Sequence, residues 1–70
     1  MELPSQEYQV IPYEGRYYPM FCLHGMWYYF RANSTAGAVQ VGIDDNARSY
    51  QQEKQAYAYI QRHYERRRIR

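Results

Sequence analysis

After Gly42 the chain contains neither glycine nor proline, whereas its four glycines and three prolines all lie at or before that residue. Glycine and proline mark turns and interrupt regular elements. This division predicts a first part that reverses direction several times and a last part free to form one helix. A length of 70 residues allows a single domain.

Tyr8 to Pro12 reads as a short strand and Tyr13-Glu14-Gly15 as a turn, with glycine supplying backbone angles that other residues resist. Arg16 to His24 resumes the β pattern. Pro19 cannot donate a ladder hydrogen bond, which predicts an edge strand or a bulge at that point. His24-Gly25 turns the chain into Met26 to Arg31, the run richest in strand formers. Beyond a polar loop from Ala32 to Gly37, Val39, Val41 and Ile43 alternate with Ala38, Gln40 and Gly42, the pattern of a strand with one buried side.

Asp44 or Asp45 can cap a helix, and the uninterrupted sequence predicts one over 44–68. At about 100° per residue, Tyr50, Glu53, Tyr57, Ile60 and Tyr64 form one stripe with Ala47 and Ala56 at its margins, the expected core face. Arg48, Gln52, Gln55, Tyr59, Arg62, Arg66 and Arg70 share the other side, which leaves Tyr59 as an aromatic among arginines. The expected architecture is an α+β two-layer domain. A three- to four-stranded antiparallel sheet (8–43) carries one long C-terminal helix (44–68), with a flexible arm (1–7) before it and a basic tail (69–70) after it.

Ten tyrosines, two phenylalanines and Trp27 are more aromatic surface than so short a chain can hide, since a domain near this size buries only about 60% of what its unfolded form exposes. Tyrosine suits binding surfaces because it offers a large contact area with few rotors and a hydroxyl that tolerates water. In the third strand Trp27, Tyr29 and Arg31 point to one side and Met26, Tyr28 and Phe30 to the other, so both faces of the sheet are apolar there. A single helix covers only one. The second face needs a second copy of the chain, a ligand or the N-terminal arm as cover, and a homodimer is the expected solution.

Charge is segregated as well. Met1 to Gln61 holds four basic and six acidic residues, while Arg62 to Arg70 holds five arginines and Glu65. Arginine's planar fork suits phosphate or carboxylate, and the same residues also complement the helix dipole. The four glycines never gather into a phosphate loop, the histidines and Cys22 lack metal-ligand spacing, and a lone cysteine forms no internal disulfide. No cofactor or metal is therefore expected. Cys22 and His24 could meet on one strand face, but nothing in the sequence orients the imidazole, so no catalytic residue is assigned. Met1 to Glu7 lacks the features of a secretory signal, and no apolar run approaches the about 20 residues that span a bilayer. A soluble cytoplasmic protein without membrane contact is expected.

The chain thus reads as a small non-catalytic binding or inhibitor-type accessory protein, its size suggesting carriage by a phage or mobile element. It would engage a partner protein or acidic ligand through Trp27, Tyr29 and Arg31 of the sheet and Tyr59, Arg62, Arg66 and Arg70 of the helix. The alternative is a nucleic-acid-binding module that stacks tyrosines on bases and pairs the C-terminal arginines with phosphates. A small ribonuclease built on His24, His63 and Lys54 is a third reading.

Overall fold

The computed structural model describes the backbone of residues 7–33 and 39–68 and the side chains of residues 7–33 and 41–67. Four strands, β1 (Tyr8–Tyr13), β2 (Arg16–Leu23), β3 (Met26–Phe30) and β4 (Val39–Gln40), are followed by one helix, α1 (Glu53–Arg68). The sheet is antiparallel in the order β1-β2-β3-β4. This is the α+β architecture expected from the sequence. The arm before Glu7, residues 34–38 (the polar loop after Asn33 and the first residue of the expected fourth strand) and the two-residue tail lie outside the described residues.

Both hairpins are set by their two-residue loops. Tyr13 faces Arg16 and Leu23 faces Met26 across the closing pairs. Glu14 and Gly15 have φ of 49° and 77°, and His24 and Gly25 have 53° and 81°. Two successive positive φ values mark the type I′ turn, whose twist matches that of the strands it joins. Glycine accepts this backbone freely, but Glu14 and His24 pay a steric penalty of about 1–2 kcal/mol in it. Space is open around the Gly15 Cα, so only the backbone angle resists a side chain there. Gly15→Ala is expected to lower the melting temperature by roughly 5 °C, the shift that about 1 kcal/mol produces in a domain of this size. Glu14→Asn is expected to raise it, and calorimetry of the two variants checks both signs.

Pro19 does not lie on an edge, because β2 is an interior strand. Its effect is to fork the sheet. Tyr17 exchanges both backbone bonds with Tyr50, at 2.9 Å each, so the groups of residues 17, 19 and 21 point away from β1. Residue 19 would therefore donate toward β3, and proline has no proton to give. The β2–β3 ladder ends at Met20–Tyr29. The Phe30 carbonyl instead accepts the Arg48 N–H at 2.7 Å, and the Asn46 carbonyl accepts the Ala32 N–H at 2.7 Å. Pro12, opposite Tyr17 in register, has its nitrogen on the outer edge of β1, where no ladder bond is lost.

The segment that fills this fork explains why the helix begins at Glu53 rather than at residue 44. Asp44 does cap a turn, accepting the Asn46 N–H at its Oδ1 at 2.7 Å. Beyond it, however, backbone groups of Asn46, Arg48 and Tyr50 are committed to the sheet, in bridges at Ala47 and Tyr50. The helix starts once they are past, with the Gln55 side chain accepting the Gln52 N–H at 3.3 Å in half of a capping box. The expected strand through Val41 and Ile43 is also shorter than its alternation implied. Pairing stops at Gln40, Val41 is exposed and Ile43 is half-buried.

The inward face of the helix also differs from the expected one. Ala56, Tyr59 and Ile60 are buried, His63 and Tyr64 are half-buried, and Tyr57 is exposed. The inward stripe is thus rotated by roughly 70° from the one that included Tyr50 and Tyr57. Tyr59, expected among the exposed arginines, is a core residue at 5% exposure. It clusters with Tyr8, Phe21, Phe30 and Ile60, standing edge-on to Phe30 at 5.0 Å between ring centres. Arg48 closes its other side, with the guanidinium carbon 4.4 Å from the ring centre. The same guanidinium donates to the carbonyls of Arg31 and Ala32 and to the Tyr50 hydroxyl at 3.2–3.3 Å.

Candidate binding surface

Strand alternation sends Phe21, Tyr28 and Phe30 toward α1 and sends Tyr18, Met20, Cys22, Trp27 and Tyr29 to the opposite face. That outer face is partly self-covered. Tyr18 is buried, with Tyr13 and Tyr29 edge-on to it at 6.3 and 5.9 Å. Met20 is buried beside it, its sulfur accepting a hydrogen bond from Gln9 Nε2 at 3.4 Å. What remains accessible is a set of rings from two strands on either side of the buried Tyr18: Tyr13, 49% exposed on β1, and the half-buried Tyr29 and Trp27 on β3. Burial, reinforced by Tyr18 and Tyr13, pushes the Tyr29 hydroxyl above the usual phenol range. It therefore stays a neutral hydrogen-bond donor.

The charged residues at the outward strand positions beside these rings, Arg16 and Arg31, are of one sign. Arg31 follows Tyr29 on the same face and is exposed. Arg16, opposite Tyr13, leans on the Ser49 hydroxyl at 2.6 Å and the Ser49 carbonyl at 3.2 Å. The outward positions of β1, β2 and β3 carry no carboxylate. Cys22 is a free, half-buried thiol on this face, and His24 stands exposed in the turn beyond it.

Of the residues singled out from the sequence, the sheet brings Trp27, Tyr29 and Arg31 together on one surface. Tyr59 does not join them, because its ring lies inside the domain. Arg62 and Arg66 are exposed, but they belong to the helix layer on the other side of the sheet, so the seven residues do not form one continuous patch. Arg70 lies outside the described residues. Tyr13 and Arg16 were missed, although the two-residue turn between them already placed both on one face. Arg67, outside the residues singled out, is engaged: its Nη1 donates to Glu7 at 3.1 Å and to the Tyr8 hydroxyl at 2.9 Å.

The histidines of the ribonuclease reading occupy different settings. His63 packs between Tyr8, Phe21 and Phe30, with ring centres 4.9–5.8 Å away, while His24 sits in the turn. Among the described residues no three metal-binding side chains gather, and no helix is long and apolar enough to cross a membrane. Comparison with protein-family models, with curated proteins and with solved structures gives no match.

Proposed function

We propose that this chain is a non-catalytic binding protein of accessory or inhibitor type, acting in the cytoplasm, whose recognition surface is the helix-free face of its sheet. One observation carries the proposal: α1 packs on one face, and the other keeps Tyr13, Trp27 and Tyr29 accessible beside Arg16 and Arg31. Contiguous aromatic area of this kind marks interaction sites, and aromatic and arginine side chains dominate the energetics of interfaces. Pairing of two copies face to face is the simplest occupancy, since a twofold axis lets one patch cover itself. Arg62 and Arg66 form a separate basic surface on the helix.

Light scattering at micromolar concentration tests this reading. The wild type is expected to run as a dimer, and Trp27→Ser with Tyr29→Ser as a monomer of unchanged circular dichroism. A monomeric wild type would remove the homodimer. The lack of carboxylates on the aromatic face favours single-stranded nucleic acid as the second reading, because bases stack on rings and phosphates meet arginine. A labelled oligonucleotide titrated at two salt concentrations separates the two, since phosphate contacts weaken steeply with salt and an aromatic protein interface does not.

A further inference from the structure

The first strand and the last turns of the helix meet at one polar contact inside an otherwise aromatic core. The Tyr8 hydroxyl lies 2.9 Å from His63 Nδ1 and 2.9 Å from Arg67 Nη1, and Arg67 also reaches Glu7 at 3.1 Å. We propose that this contact is a proton-operated latch, which holds β1 against the end of α1 at neutral pH and releases it on mild acidification.

The donor inventory sets the protonation state. Arg67 can only donate, so it fills an acceptor position on the Tyr8 oxygen. Both bonds are then satisfied when the hydroxyl proton points to His63 and Nδ1 accepts it. The imidazole is therefore neutral, with its proton on Nε2. A proton added at Nδ1 turns the acceptor into a second donor aimed at the Tyr8 oxygen and leaves the hydroxyl proton without its partner. It also places a cation beside Arg67 and Arg66, among rings that offer little solvation.

Among the described residues, the groups facing His63 are few. From β1 and its start come Tyr8 and, through Arg67, Glu7. Phe21 of β2 and Phe30 of β3 contribute rings without charge. From α1 come Arg66 and Arg67. No carboxylate pairs directly with the imidazole. Burial first, and then the two arginines, accordingly hold His63 below its ordinary value of 6.5.

The direction of the pH effect follows. With the folded value below the unfolded one, the unfolded chain binds the proton more readily, so stability rises with pH through this window. The contribution is fully present above the unfolded value and is lost as pH falls toward the folded value. Histidine is the side chain whose ordinary value puts its charge change between about pH 5 and about pH 7.5, so that interval reports on the imidazole.

Three measurements test the latch. In the folded wild type, an NMR titration of the His63 ring is expected to give a midpoint below the ordinary imidazole value of 6.5, and a midpoint equal to or above it would overturn the proposal. The Cys22 amide, which donates to the Glu7 carbonyl at 2.8 Å, reports on β1 directly. Its exchange protection, corrected for intrinsic rate, is expected to fall as pH drops across the window. His63→Gln retains an acceptor but cannot titrate, so its protection is expected to be flat with pH, while His24→Asn keeps the wild-type response. A His63→Gln variant as pH-sensitive as the wild type would also overturn the proposal. Should that variant fail to fold, Tyr8→Phe keeps the ring and removes the bond. It is expected to raise the His63 midpoint and shrink the pH response, and an unchanged midpoint would count against the latch.

Discussion

Replacing Tyr59 with alanine is expected to cost about 3–5 kcal/mol, the range for emptying a fully buried aromatic site, and to leave much of the protein unfolded at room temperature. The ring is 5% exposed, enclosed by Phe30 and by the Arg48 guanidinium, so its removal opens a cavity that neither neighbour can fill. Ile60→Ala belongs to the same class at about 2–5 kcal/mol, since Ile60 is entirely buried. A domain of this size holds only about 3–5 kcal/mol in total, so either change consumes most of it. Tyr57→Ala is the control. That side chain is 44% exposed, and its loss is expected to change stability by no more than about 0.5 kcal/mol. Urea unfolding followed by circular dichroism ranks the three, and equal losses for Tyr57 and Tyr59 would mean that the helix is turned the other way.

Arg48→Ala is expected to cost about 2–3 kcal/mol, a large effect for an arginine. Solvated arginines add little to stability, but this one is half-buried and holds three elements together. Its guanidinium bonds the carbonyls of Arg31 and Ala32 and the Tyr50 hydroxyl while lying over Tyr59. Removing it takes away charge-assisted bonds worth more than neutral ones, together with a cation–π contact of roughly 0.5–2 kcal/mol. Arg48→Lys is expected to recover less than half of the loss, because an ammonium cannot reach several acceptors in one plane while stacking on a ring. A lysine variant as stable as the wild type would show that charge alone, without the fork, suffices at this position.

Much of the sheet was legible because its signals are local. Glu14-Gly15 and His24-Gly25 place the two hairpins by themselves, since a two-residue loop fixes register and register fixes which residues share a face. Trp27, Tyr29 and Arg31 fall on one surface for that reason, and Tyr13 and Arg16 could have been added to them by the same logic. Pro19 carried a correct warning that a donor was missing, but not the identity of the group that would use the vacated acceptor.

The helix shows where local signals end. From Asp44 to Gln52 nothing in the composition forbids a helix, and a stripe centred on Glu53, Tyr57, Ile60 and Tyr64 leaves Tyr59 facing solvent. The spacing of Ala56, Tyr59, Ile60, His63 and Tyr64 alone gives the observed face, but that stripe competes with the one through Tyr57 on nearly equal terms when so many residues are aromatic. The sequence by itself determined the order of elements, the two turns and the two faces of β3, because glycine, proline and period-two alternation act over a few residues. Only the tertiary structure decided where the helix begins and which way it is turned. The reason for the late start is that Asn46, Arg48 and Tyr50 found backbone partners at a fork in the sheet, created by a proline far away in sequence and stronger than the weak local preference for one more helical turn.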